Sequence, residues 1–111
     1  MSVSLMISNP INEDEQYLHL PISTERFFED HWMPIIIELD LKWARCFQGG
    51  IELEKEDIKE VLKELDKMQN WIIAYKHNDQ GKHILERLKN INEALLDFLN
   101  NSRDDLKVYI G

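Results

Sequence analysis

Four histidines, one cysteine and twenty-one carboxylates are the side chains in this sequence best able to do chemistry. Their spacing decides what chemistry is open to them. His77 and His83 stand six residues apart, while His19 and His31 fall on other segments. A helical zinc pair needs four-residue spacing, and the other familiar zinc sites need paired cysteines, so no metal is expected. Glu25 and Glu29 lie one helical turn apart, as a hydrolytic or metal-binding pair would. No Asp-rich loop accompanies them and His31 projects elsewhere, so they read as a solvated helix face. Gly49-Gly50 and Gly81 belong to no phosphate-binding fingerprint. Cys46, the lone cysteine, sits in a bulky apolar stretch where burial suppresses the thiolate, and is expected to be an inert core residue. No catalytic residue and no cofactor is assigned from these patterns, although a Ser/His/Asp site assembled by the fold leaves no trace in a sequence.

What remains is binding, and here charge is informative. The chain has 111 residues, 13 Lys+Arg against 21 Asp+Glu, and a net charge of −8. That field repels nucleic acid and anionic lipid, so neither is expected as a partner. No apolar run approaches the length that spans a bilayer, and Met1-Ser2-Val3-Ser4-Leu5-Met6-Ile7 has neither the basic start nor the long apolar core of a secretion signal. With a single cysteine, the expected location is the reducing cytoplasm. Residues 1–57 hold 12 acids against 4 bases, whereas residues 58–111 hold 9 of each. The whole excess therefore falls in the first half, which forms one acidic surface if its segments meet in the fold. A merely solubilising exterior is the plainer alternative.

The elements that must position these residues follow from periodicity. Val3, Leu5 and Ile7 alternate with polar neighbours and predict a first strand; residues 9–15 read as a loop; Leu18, Leu20 and Ile22 predict a second strand forming a hairpin with the first, with Pro21 placing it at an edge. Ser23 or Thr24 caps a helix running to about Leu39 through Phe28, Trp32, Ile35 and Ile36, with a kink around Asp30–Met33 imposed by Pro34. Leu41–Phe47 reads as a third strand, followed by a Gly49-Gly50 turn and a short extended segment from Ile51 to Leu53. Ile58, Val61, Leu62, Leu65, Met68, Ile72 and Tyr75 stripe a second helix over 55–76. Ile84, Leu85, Leu88, Ile91, Leu95, Phe98 and Leu99 stripe a third over 80–101, capped by Asp79. Leu106, Val108 and Ile110 close with a strand. The prediction is one α+β domain over residues 1–111, with about four mostly antiparallel strands and three helices in the order ββαβααβ.

Two groups of residues suit a partner-binding surface. Tyr17, His19 and Tyr109 fall on the strand positions opposite the apolar ones. Trp43 and Arg45 join them if the third strand turns that face outward, although Trp43 also fits a plain core position. Glu52, Glu54, Glu56 and Asp57 lead into the second helix, and Glu13, Asp14 and Glu15 crowd the first loop. Acids at a helix start favour the macrodipole, and they equally steer a basic protein toward the surface.

The stretch from Pro21 to Leu65, with Phe27-Phe28, Trp32, Pro34, Trp43 and Phe47-Gln48-Gly49-Gly50-Ile51, resembles the immunity proteins that bacteria keep against secreted polymorphic or contact-dependent toxins. The resemblance implies a non-enzymatic inhibitor that occludes a basic toxin domain, and it transfers no individual residue role. A protein-binding module with a basic protein partner is therefore the expected function. The alternatives are a small enzyme or ligand-binding domain with a fold-assembled site, and a self-associating module using Trp71, Ile73 and Leu96.

Overall fold

Val3, Leu5 and Ile7 are buried along β1 (Ser2–Ile7), while of the alternate positions Ser2 is exposed, Met6 half-exposed and Ser4, which exchanges backbone hydrogen bonds with Gly111, buried, a strand with its apolar face against a core. In the computed structural model, which describes residues 2–101 and 103–111, β1 is paired antiparallel on both sides. It lies between β2 (Leu20–Thr24) and β4 (Val108–Ile110), and β3 (Ile51–Leu53) completes a sheet of order β2-β1-β4-β3. The register opposes Val3 to Ser23 but Ser4 to Pro21. The extra residue, Ile22, thus bulges and is fully buried. Both edges resist further pairing: β2 carries Pro21 and the bulge, and β3 is three residues long with Glu52 at its centre.

The helices supply the rest of the core. α4 (Lys55–Tyr75) and α5 (Asp79–Leu99) are joined by three residues, which forces the second back along the first. They bury Ile58, Val61, Leu65, Met68 and Ile72 on one, and Ile84, Leu88, Ile91, Leu95 and Phe98 on the other, the centres of the expected apolar stripes. Leu62, Leu85 and Leu99 are half-buried at their flanks, and Tyr75, in the last turn of α4, is exposed rather than part of the stripe. Glu54 and Asp57 form a reciprocal capping box at the start of α4. Asn78, rather than the expected Asp79, caps α5 by accepting from the Gly81 N–H at 2.8 Å. At position 81 only glycine fits, because the Lys76 carbonyl occupies the space a Cβ would take.

Between β2 and the turn region runs an interrupted helix: α2 (Glu25–Phe27), a wide π turn (Phe28–Trp32) and α3 (Met33–Glu38). Thr24 caps it, accepting from the Phe27 N–H at 3.1 Å. Pro34 has no N–H for the Asp30 carbonyl and its ring crowds that turn, so the expected kink takes the form of a π turn in which the Met33 N–H donates to the Phe28 carbonyl. Phe28 and Trp32 stack at 5.3 Å within the core.

Three expectations about elements are corrected. Residues 9–15 are not all loop: Asn12 accepts from the Glu15 N–H at 2.8 Å and caps a short helix, α1 (Glu13–Tyr17), a fourth helical element. Tyr17 consequently lies on this helix, and β2 starts only at Leu20. The stretch Leu41–Phe47 is not a strand but a tight turn with a 3-10 segment at Ala44–Cys46. Its buried residues, Leu41, Ala44 and Phe47, recur every third position, a helical rather than an extended period. The third strand is Ile51–Leu53 instead. Cys46 is therefore exposed rather than buried, its Sγ 3.7 Å from the Lys42 carbonyl.

Candidate partner-binding surface

The two acidic stretches of the first half reach a common element, the segment 103–107 that leads into β4. On one side Arg103 pairs with Glu15 of α1 and donates to the Asn9 carbonyl at 3.0 Å. Asn9 in turn donates to the Asp105 carbonyl at 2.7 Å and accepts from the Lys107 N–H at 2.9 Å. On the other side Asp104, Asp105, Leu106 and Lys107 share a cleft with Glu54, Lys55 and Glu56 at the start of α4. Lys55 reaches across to the Asn101 carbonyl. Segments 13–15, 52–57 and 103–107 together bring nine carboxylates against three cations, a difference of −6 in a molecule of net charge −8. The electrostatic field is thus concentrated at the end of the sheet where these three segments converge.

These acids are not equivalent. The Glu15 side chain is only 12% exposed in its pair with Arg103, and Glu54 and Asp57 are engaged in the capping box. Glu13, Asp14, Glu52, Glu56, Asp104 and Asp105 are exposed. Asp104 and Asp105 were hidden from sequence reasoning because the bases of the second half cancel them in the sum. Their Asp-Asp doublet just before a terminal apolar alternation was the available signal.

Beside this cleft lies the open face of the sheet. Met6, Tyr109 and Glu52 form one cross-strand row on it, opposite the buried row of Ile7, Val108 and Leu53. The Tyr109 ring lies over Gly50 and Gly111, where any Cβ would collide with it. Gly50 also has a φ of +97°, a conformation natural to glycine alone. A half-exposed aromatic side chain is thereby held beside the cross-strand position of Glu52, a pairing that suits a cationic side chain. Tyr109, from the expected sheet-face group, and Glu52, from the expected acidic stretch, are the two that the fold places side by side.

The other expected residues lie apart from this surface. Tyr17 is exposed on α1. His19 precedes β2 and shares a shallow cleft with Leu18, Leu20 and the α5 residues Asn90 and Glu93. Trp43 and Arg45 are not on the sheet, because the segment that carries them is the turn described above. Trp43 is half-buried against the core, with Lys42 Nζ 5.8 Å from its ring centre. Arg45 pairs with Asp40 at 3.3 Å. Trp71 is half-buried next to Tyr75, at 5.6 Å between ring centres, while Ile73 and Leu96 are exposed on α4 and α5. Among the described residues no group of three or more His, Cys, Asp or Glu is placed to hold a metal ion, and no helix is long and apolar enough to cross a membrane.

The class these features define is an α+β protein with a four-stranded antiparallel sheet and a strongly acidic end. No protein-family model, curated protein or solved structure matches the chain.

Proposed function

We propose that the protein is a non-catalytic binding module that recognises a basic protein through its acidic end. The observation that carries this reading is the convergence of segments 13–15 and 52–57 on residues 103–107, beside the Tyr109–Glu52 row. A solubilising exterior has no need to gather its charge in one place or to lay an aromatic ring beside it. Such a field accelerates encounter with a cationic partner, and an aromatic residue next to carboxylates supplies a short-range anchor. In its finer form the module is an immunity-type inhibitor that covers the basic active surface of a toxin domain in the cytoplasm. The unpaired, exposed thiol of Cys46 suits a reducing compartment.

The test begins with capture of partners from source-cell lysate at low and high salt, and continues with stopped-flow association of the captured protein. Neutralising the exposed set Glu52→Gln, Glu56→Gln, Asp104→Asn and Asp105→Asn is expected to slow association by about tenfold or more at low salt and to flatten its salt dependence. Equal on-rates and equal salt slopes for both forms would overturn the reading. The finer form also requires that the captured protein be a toxin whose activity the module suppresses.

A further inference from the structure

At the opposite end of β1 the chemistry reverses. A pocket of about 340 Å³ opens between the Ser2–Thr24 end of the sheet and α5, lined by Ser2, Pro21, Ser23, Thr24, Phe27, His83 and Arg87. No carboxylate lines it among the described residues, whereas the clefts beside Lys55, Trp43, His19 and Trp71 each have at least one in their walls. Its volume is at the lower end of the range of small-ligand sites, about 300–1,000 Å³. We propose that this pocket binds a small organic carboxylate with an apolar, ring-sized body, independently of the acidic end.

The argument rests on how the walls are built. His83 and Arg87 are one turn apart on α5 and reach the same pocket. Arg87 Nη1 donates to the Pro21 carbonyl at 3.1 Å, which fixes the guanidinium while leaving its other N–H groups to fork around a carboxylate. The Phe27 ring packs against His31 at 4.6 Å and, near-perpendicular, against His83 at 5.0 Å between ring centres, which fixes an aromatic wall of the pocket beside the cationic one. The Thr24 hydroxyl accepts from the Phe27 N–H, which leaves its own hydrogen for an incoming oxygen. The Ser23 hydroxyl is spent on the Thr24 carbonyl at 2.7 Å. A bare inorganic anion would leave Phe27 and the Pro21 ring unused, and a neutral ring would leave Arg87 without a counter-charge. A ligand carrying both parts satisfies both walls. The acidic end does not oppose it: six strand residues separate the two regions by about 17 Å, beyond the Debye length of about 8 Å at physiological salt.

Titration of isotope-labelled protein with benzoate, followed through the ring resonances of Phe27 and His83, tests the proposal. Saturable shifts are expected with a dissociation constant of about 1–10 mM, as suits so small a ligand. Benzamide, which keeps the ring without the charge, and acetate, which keeps the charge without the ring, should each bind at least about tenfold more weakly. Arg87→Gln should weaken benzoate about tenfold while leaving the rest of the spectrum in place. If that variant loses its fold, Arg87→Lys, which keeps the charge but not the fork, is expected to weaken benzoate by a smaller factor. The proposal is overturned by shifts that do not saturate, by benzamide or acetate matching benzoate, or by a folded Arg87 variant that binds as wild type does.

Discussion

A single carboxylate shapes the segment that sequence periodicity misassigns. Glu64 on α4 accepts from three consecutive backbone N–H groups, those of Lys42, Trp43 and Ala44, at 2.9 to 3.0 Å. Three amides turned toward one anion cannot also serve a strand ladder, so the chain from Leu41 to Phe47 curls and its apolar side chains enter the core at every third position. This role is invisible in the sequence, where Glu64 is one of several acids on a solvated helix face. Hydrogen bonds to a charged group contribute about 1.5–3 kcal/mol each in protected settings, and amides that lose their partner cost more where water is excluded. Glu64→Ala should therefore lower stability by about 2–3 kcal/mol in chemical denaturation. Glu60→Ala, one turn earlier and in an exposed pair with Lys63 at 3.4 Å, should change it by less than about 1 kcal/mol. Equal losses for the two variants would show that the amides around Trp43 do not depend on Glu64.

Among the elements, the long periodic ones were legible and the short ones were not, for a physical reason. α4 and α5 each repeat an apolar stripe over more than five turns, so no alternative period competes. α1, β3 and the turn at Ala44–Cys46 span three to five residues. Contacts made far along the chain decide them, through Arg103 for α1 and Glu64 for the turn. The same contrast holds for the site. Tyr109 falls on the sheet face that alternation with Val108 and Ile110 indicates, because strand alternation is local. Trp43 and Arg45 were misplaced because their segment is set by a helix twenty residues later. The stripe itself makes a firm prediction. Leu65 lies mid-helix on α4 and is 2% exposed, so Leu65→Ala should cost about 2–5 kcal/mol, the transfer and cavity terms together. The exposed Leu96 on α5, changed to Ala, should cost less than about 1 kcal/mol. A denaturation midpoint that moves for neither variant, at unchanged slope, would mean that the two long helices do not pack through these stripes.

On the scale of the whole molecule, gathering most of the net charge at one end has a thermodynamic consequence that needs no partner to detect. Like charges held together by the fold repel more strongly than in the unfolded chain, where they separate. Their neutralisation should stabilise the protein at low ionic strength. Asp104 is exposed and belongs to none of the described ion pairs, and Glu52 stands beside Tyr109 without a described cation partner. The double change Glu52→Gln with Asp104→Asn avoids the capping box of α4, the Glu15–Arg103 pair and the Asp105–Arg103 contact. Thermal melts in dilute buffer should therefore show a rise of about 1–4 °C, the equivalent of a few tenths of a kcal/mol for a domain of this size. The rise should fade as salt approaches about 1 M, where the Debye length shrinks to about 3 Å. A control pair on the two long helices, Asp66→Asn with Glu86→Gln, removes the same charge from exposed positions flanked by Lys63, Lys67, Lys82 and Lys89, and should give a smaller gain at low ionic strength. If both pairs raise the melting temperature equally, the field follows total charge rather than its placement, and the acidic end loses its standing as a distinct surface. A larger gain from Glu52 and Asp104, joined to slower partner association in the same variant, would mean that the protein sacrifices stability at this end to keep its charge there.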